Sequence, residues 1–174
     1  ELASNFRNLL ARTLGERIEW IWELAPDLEK CFVDPTQLES AILNLAINSR
    51  DAMPTGGIIR CSAENMHISA MDAARLELEP GRYVKIILKD SGHGMSRYVA
   101  ERALEPFFTT KEVGKGSGLG LSQVLGVMKQ LGGGLKIESA EGRGTTISLY
   151  LPRAEARGQL DRPVGRQRSE THHL

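Results

Sequence analysis

The chain has 174 residues, the length of one domain and too short for two with linkers. Its 22 lysines and arginines balance its 22 aspartates and glutamates, so bulk charge points to neither nucleic acid nor an anionic membrane, although a compact polyanion can still be bound locally. The only cysteines, Cys31 and Cys61, lie in separate apolar segments, which speaks against a disulfide framework and for core thiols in a reducing compartment.

No apolar run reaches the roughly eighteen residues of a membrane span, and no signal peptide precedes the first folded segment, so the expected location is cytoplasmic. The chain opens at Glu1 inside a helical pattern and is read as an excerpt, with any sensor or anchor upstream.

Leu2, Phe6, Leu9 and Leu10 predict a helix over 2–13, which Gly15 stops. Strict alternation then places Ile18, Trp20, Trp22 and Leu24 on one strand face. Asp34-Pro35 starts a helix running to about Met53, with the aspartate as N-cap and Gln37 at the capping-box position. A turn at 54–57 leads to a strand whose Ile59, Cys61 and Ala63 face the core. Residues 67–80 read as a polar connection, followed by a strand from Tyr83 to Asp90 and a short helix over 97–104. Residues 107–116 lack periodicity and read as a mobile loop before a helix over 118–131. Two strands, 135–139 and 144–151, close the domain. The pattern predicts an α/β (α+β) two-layer sandwich over 1–152, its mostly antiparallel mixed sheet covered by helices on one face. Residues 153–174 read as a disordered tail or linker, in which the His172-His173 pair is a solvated feature rather than a metal site.

Four features carry chemistry. On the helix begun by Asp34, the residues Gln37, Ser40, Asn44, Asn48 and Asp51 form a polar stripe between apolar flanks; it is either a solvated face or one wall of a pocket. Asp90 continues the alternation of Val84, Ile86 and Leu88, so its carboxylate points inward, and Gly92 and Gly94 behind it let a planar ligand approach the backbone. A carboxylate there suits an exocyclic amine such as that of adenine, although an Asp-x-Gly-x-Gly string alone is as often a turn. Thr145 is in phase with Ile147 and Leu149, which directs its hydroxyl toward Asp90, unless it is there for strand propensity alone. Finally, GKGSGLGL runs glycines straight into a helix N-terminus, an arrangement that favours phosphate. It matches neither a Walker motif nor a dinucleotide fingerprint. Lys111 and Lys115 flank it.

NLAINSRDAM, DSGHGM, EPFFTTK, GKGSGLGL and GRGTT stand in the order of the N box, first glycine box, F box, second glycine box and final threonine of sensor histidine kinase catalytic domains. Over 1–152 the chain resembles that family, in its hybrid or nitrogen-regulation-like subclass, and the resemblance implies the Bergerat ATP-binding fold. It further implies Mg²⁺ and ATP as cofactors, with Asn48 ligating the metal and Asn44 supporting it one turn earlier. Asp90 then reads the adenine amine with help from Thr145, while Gly92, Gly94 and Met95 shape its pocket. Phe107 to Lys111, with Thr110 and Lys111 toward nucleotide, begin the ATP lid, and Gly116, Ser117, Gly118, Leu119, Gly120 and Leu121 close it on the phosphates. The implied reaction is in-line transfer of the γ-phosphoryl group to a histidine.

Two departures from the family pattern matter. Asp51 stands where many histidine kinases carry a lysine or arginine aimed at phosphate; it is read as a subclass trait and kept among the nucleotide-contacting residues, but cationic help must come from elsewhere, Lys111 or Lys115 being able to swing in with the lid. No histidine lies in a phosphoacceptor context, so the acceptor helices are expected upstream on a dimerisation domain, with a response regulator receiver domain as further partner; the full protein is expected to be a homodimer and this fragment a monomer. The rival readings are a gyrase- or chaperone-like ATPase clamp and a non-catalytic nucleotide-sensing module. The clamp needs a general base, and its usual glutamate position holds Asn44, whose amide cannot take a proton.

Overall fold

Period-two segments of the chain pair into one sheet, and period-3.6 segments cover it. The computed structural model describes residues 4–154. Its strands are β1 (Ile18–Leu24), β2 (Gly57–Ile68), β3 (Gly81–Asp90), β4 (Gly134–Ser139) and β5 (Thr145–Pro152). They are ordered β1-β2-β3-β5-β4, with β1 parallel to β2 and every other pairing antiparallel.

Helices α1 (Ser4–Leu14), α2 (Pro35–Asp51) and α5 (Gly120–Gln130) cover the face toward which Ile59, Cys61, Val84, Leu88, Ile147 and Leu149 point. Phe6, Leu10, Ile42, Leu45, Val124 and Met128 fill the space between. Burial pushes the Cys61 thiol up to about 12, so it behaves as a small core hydrophobe. Among the described residues no helix is long and apolar enough to cross a membrane.

Asp34 caps α2, its carboxylate accepting the Thr36 N–H at 2.8 Å, and Pro35 fills the first turn, where a missing N–H costs nothing. The helix ends at Asp51 rather than Met53. Helix α5 begins at Gly120 rather than Gly118 because Gly118 sits at φ 67°, a left-handed conformation no α-helix accommodates. Residues 107–116 form neither helix nor strand, as expected.

One element departs from the sequence expectation. Residues 67–80 are not a polar connection: β2 continues to Ile68, and α3 (Ala70–Leu76) follows, capped by Ser69, whose hydroxyl accepts the Asp72 N–H at 3.2 Å. Ile68 and Ala73, with Leu76 and Leu78, pack on Tyr83 and Tyr150, which have the opposite sheet parity to Val84 and Leu149. A small second core therefore lies on the far face at one end of the sheet. Its helix is shorter than the window in which periodicity becomes legible. The short helix α4 (Arg97–Arg102) precedes the loop leading to α5. Pairing also runs past Pro152, since Arg153 bridges Cys31 and Ala154 N–H donates to the Lys30 carbonyl at 2.8 Å. Leu2, the rest of the tail and the histidine pair lie outside the described residues.

Leu45 is fully enclosed between α2 and the sheet. Leu45→Ala is expected to lower the unfolding free energy by roughly 2–5 kcal/mol, read as a lower urea midpoint with unchanged slope.

Candidate functional site

The floor of the site is a buried carboxylate. Asp90, at the end of β3, is 6% exposed, and every hydrogen bond it accepts comes from a different segment. Its Oδ1 takes the Gly92 N–H at 2.9 Å and the Thr145 N–H at 3.1 Å; its Oδ2 takes the Ser49 hydroxyl at 2.9 Å. These donors offset the cost of removing the charge from water, and they fix the direction in which the remaining lone pairs point.

One of these contacts differs from the sequence expectation. Thr145 holds Asp90 through its backbone, while its hydroxyl lies 2.8 Å from Ser139 Oγ. Ser139 donates to the Gly144 carbonyl at 3.0 Å and accepts the Met95 N–H at 2.9 Å, so it ties the glycine turn to β4. Neither Ser49 nor Ser139 stood out in the motif reading. Ser49 had a signal, because it continues the core-facing series of Ile42 and Leu45 on α2 and a serine there needs a partner.

Above this floor opens a cavity of about 1070 Å³. Ile47, Met95, Val99, Phe108, Leu121 and Ile147 supply apolar wall, and Asn44, Asn48, Asp51, Asp90, Thr110, Lys111, Ser117 and Thr145 supply polar atoms, a mixture suited to an aromatic ring carrying an ionic tail. Gly94, Gly116, Gly118 and Gly120 also line it. Gly92 and Leu119 do not. Gly92 is buried beneath Asp90, where a Cβ would come within 2.8 Å of the Ala52 carbonyl, and Leu119 occupies the N-cap position of α5. Gly94 is required on two counts: its φ is 68°, and a Cβ would lie 1.9 Å from the Ala140 carbonyl oxygen.

The other end of the cavity is built for charge. Helix α5 starts with no side-chain cap, so its first-turn N–H groups and dipole are available to an anion. Its Gly120 faces Asn48, with room for a Cβ 3.7 Å from Nδ2. Lys111 Nζ reaches Asp51 Oδ2 at 2.6 Å across the loop, and Arg50 holds Oδ1 at 2.9 and 3.1 Å. Lys115 instead pairs with Glu112 at 2.6 Å. Partial burial pushes the Asp51 carboxyl up, but hydrogen bonds and charge from Lys111 and Arg50 outweigh it and hold the group below its ordinary value. The stabilisation from this network is therefore present above the ordinary carboxylate range and is lost as pH falls through the lowered value.

Oxygen and amide groups dominate the charged end, and among the described residues no cluster of three His, Cys, Asp or Glu side chains exists. Such a donor set fits a hard cation held by one protein oxygen, that of the Asn48 amide, together with oxygens of an anionic ligand.

A family model described as histidine kinase-, DNA gyrase B-, and HSP90-like ATPase matches residues 33–155. Sensor kinase CckA of Brucella abortus is 45% identical over 168 residues, covering 94% of this chain and 18% of the relative. Sensor histidine kinase ZraS of Escherichia coli K12 is 35% identical over 119 residues, covering 68% of this chain and 22% of the relative. The chain thus spans a small part of these relatives' length. Among solved structures, the mycobacterial sensor histidine kinase MprB superposes with TM-score 0.65 at 25% identity, covering 87% of this chain and 93% of that one. Full-length ShkA in complex with AMPPNP superposes with TM-score 0.67 at 25% identity, covering 88% and 29%. The buried aspartate, the glycine turns and the uncapped α5 fall inside the matched segment, and the chain belongs to the family of histidine kinase-, DNA gyrase B- and HSP90-like ATPases.

Proposed function

We propose that this domain binds Mg²⁺-ATP and transfers the γ-phosphoryl group to a histidine on a separate dimerisation domain of a two-component sensor kinase. The observation that carries the reading is the pairing of Asp90, buried and aimed by three donors, with an uncapped glycine-rich helix N-terminus at the other end of one cavity. The first suits the adenine amine and the second the polyphosphate. Asn48 would hold the metal through its amide oxygen, with Asn44 one turn earlier beside it. A Mg²⁺ held there would supply neutralising charge for phosphoryl transfer.

The chain's own contribution is positioning. Apolar walls exclude water from the purine, the α5 N–H groups orient the phosphates, and the loop over 107–118 closes the open side. Asn44 lines the cavity where a hydrolytic member would need a carboxylate base, and an amide cannot accept a proton from water, which favours phosphotransfer over hydrolysis. The relatives named sensor kinases support the same reading; with it we propose a response regulator receiver domain as downstream partner and a cytoplasmic location.

Asp90→Asn is expected to weaken ATP binding by about 10- to 100-fold in calorimetric titration, the loss of a charge-assisted hydrogen bond. Asn48→Ala should remove the gain in affinity that Mg²⁺ confers while leaving binding in EDTA unchanged. Gly120→Ala separates fold from function: its Cβ meets only Asn48 Nδ2, at an ordinary contact distance, so the melting temperature should hold while triphosphate affinity falls several-fold. Mixed with the dimerisation domain of the full-length protein and labelled ATP, the chain should label histidine and release little free phosphate. Steady phosphate release without that domain would instead assign a hydrolytic clamp.

A further inference from the structure

At the charged end of the cavity a carboxylate stands where an anion is to be bound, and unshielded it would repel that anion. It is not unshielded. Asp51 Oδ1 is held by Arg50 Nε and Nη2 at 3.1 and 2.9 Å, and Oδ2 by Lys111 Nζ at 2.6 Å, so the trio keeps a net positive charge. Arg50 is itself fastened, its Nη1 donating to the Thr13 carbonyl at the end of α1 at 2.9 Å. The carboxylate is thus fixed from behind by the folded body, and the flexible partner is the lysine of the loop.

The loop makes room for this arrangement. A Cβ on Gly116 would lie 2.8 Å from Lys111 Cδ and 3.2 Å from Thr109 Oγ1, so the absence of a side chain there lets the lysine stem lie across the cavity mouth. Asp51 follows Asn48 on α2 at a spacing that makes their side chains neighbours on one helix surface. Lys111 is therefore held beside the amide assigned to the metal, whereas Lys115, which also lines the cavity, is paired with Glu112 of the same loop, both side chains largely exposed.

Building on the ATP reading above, we propose that Asp51 is a positioning residue rather than a nucleotide ligand: it holds the Lys111 ammonium over the polyphosphate end of the site. An ammonium has three N–H donors, and one is used on Asp51, which leaves others for phosphate oxygens. Ordering a long, rotamer-rich side chain before the ligand arrives reduces what must be ordered on binding. A cation is thereby supplied from the loop and aimed by a carboxylate of α2.

The test uses the 174-residue chain with Asp51→Asn, Lys111→Met, the double variant and Asp51→Glu. AMP-PNP and AMP are titrated by calorimetry with Mg²⁺, and amide hydrogen exchange over 109–117 is followed without nucleotide. Asp51→Asn and Lys111→Met should each weaken AMP-PNP binding about 3- to 10-fold and leave AMP unchanged. The double variant should be no weaker than Lys111→Met, Asp51→Glu should restore part of the loss, and exchange over 109–117 should quicken in Asp51→Asn. The proposal is overturned if Asp51→Asn has the same effect in the Lys111→Met background, if it tightens AMP-PNP, or if loop exchange is unchanged. A wild-type chain that binds neither nucleotide would overturn the ATP reading itself, and the phosphate role of Lys111 with it. Normal wild-type binding with an unaltered loop would overturn only the role given to Asp51.

Discussion

The structure depends on one buried charge. Asp90 is placed at the end of a central strand, deep between sheet and helices, and a carboxylate in that position is tolerated only because the Ser49 hydroxyl and the Gly92 and Thr145 amides all point at it. Those donors belong to α2, to the turn after β3 and to β5, so a single side chain sets how the second helix, the glycine turn and the closing strand meet. Gly144 shares in this, because a Cβ there would fall 2.1 Å from the Asp90 carbonyl oxygen. The interaction that makes the fold specific is therefore also the one that shapes the recognition floor. If Asp90 reads the nucleotide as proposed above, stability and binding are coupled at that point.

The opposite side of the cavity is built on another principle. The loop over 107–118 is tied across its own base by the Phe107 N–H to the Gly118 carbonyl at 3.0 Å. It meets the body through the Phe108 N–H to the Glu105 carbonyl at 3.2 Å, the Lys111–Asp51 pair, and the Phe108 ring, which lies edge-on to Tyr98 and 4.5 Å from the Arg102 guanidinium. Phe107 adopts φ 66°, unusual for a residue with a side chain, and is 74% exposed. A loop held to the body by one half-exposed ion pair and one ring cluster opens at lower cost than a floor whose carboxylate takes three hydrogen bonds from separate segments. On the ATP reading proposed above, a site that admits a bulky polyanion and then encloses it would need both.

Family membership leaves the choice of chemistry open, since the family's own description covers kinases and ATPases. The choice rests on individual side chains. On the phosphotransfer reading proposed above, Asn44 would provide an amide where hydrolysis asks for a base, and Asp51 would act through Lys111, with which it is paired at the charged end of the cavity. Both positions lie on α2, whose other face is locked in the core by Ile42, Leu45 and Ser49. The packed face keeps the functional face in register.

Much was determined by the sequence alone. Alternation at Ile59, Cys61 and Ala63 and at Val84, Ile86 and Leu88 specified strands and their inner faces, and Asp34-Pro35 specified where α2 begins, because these are local rules of backbone and side-chain geometry. The inward aim of Asp90 followed from the same parity. What α3 covers was not legible, because Tyr83 and Tyr150 are far apart in the chain and become one apolar patch only when β3 pairs with β5. The partners of Asp90 and Asp51 were likewise decided by tertiary structure: Ser49 lies 41 residues from Asp90, and Lys111 lies 60 from Asp51. Periodicity reports which way a side chain points; what it meets there depends on chain closure over distances to which no local pattern extends.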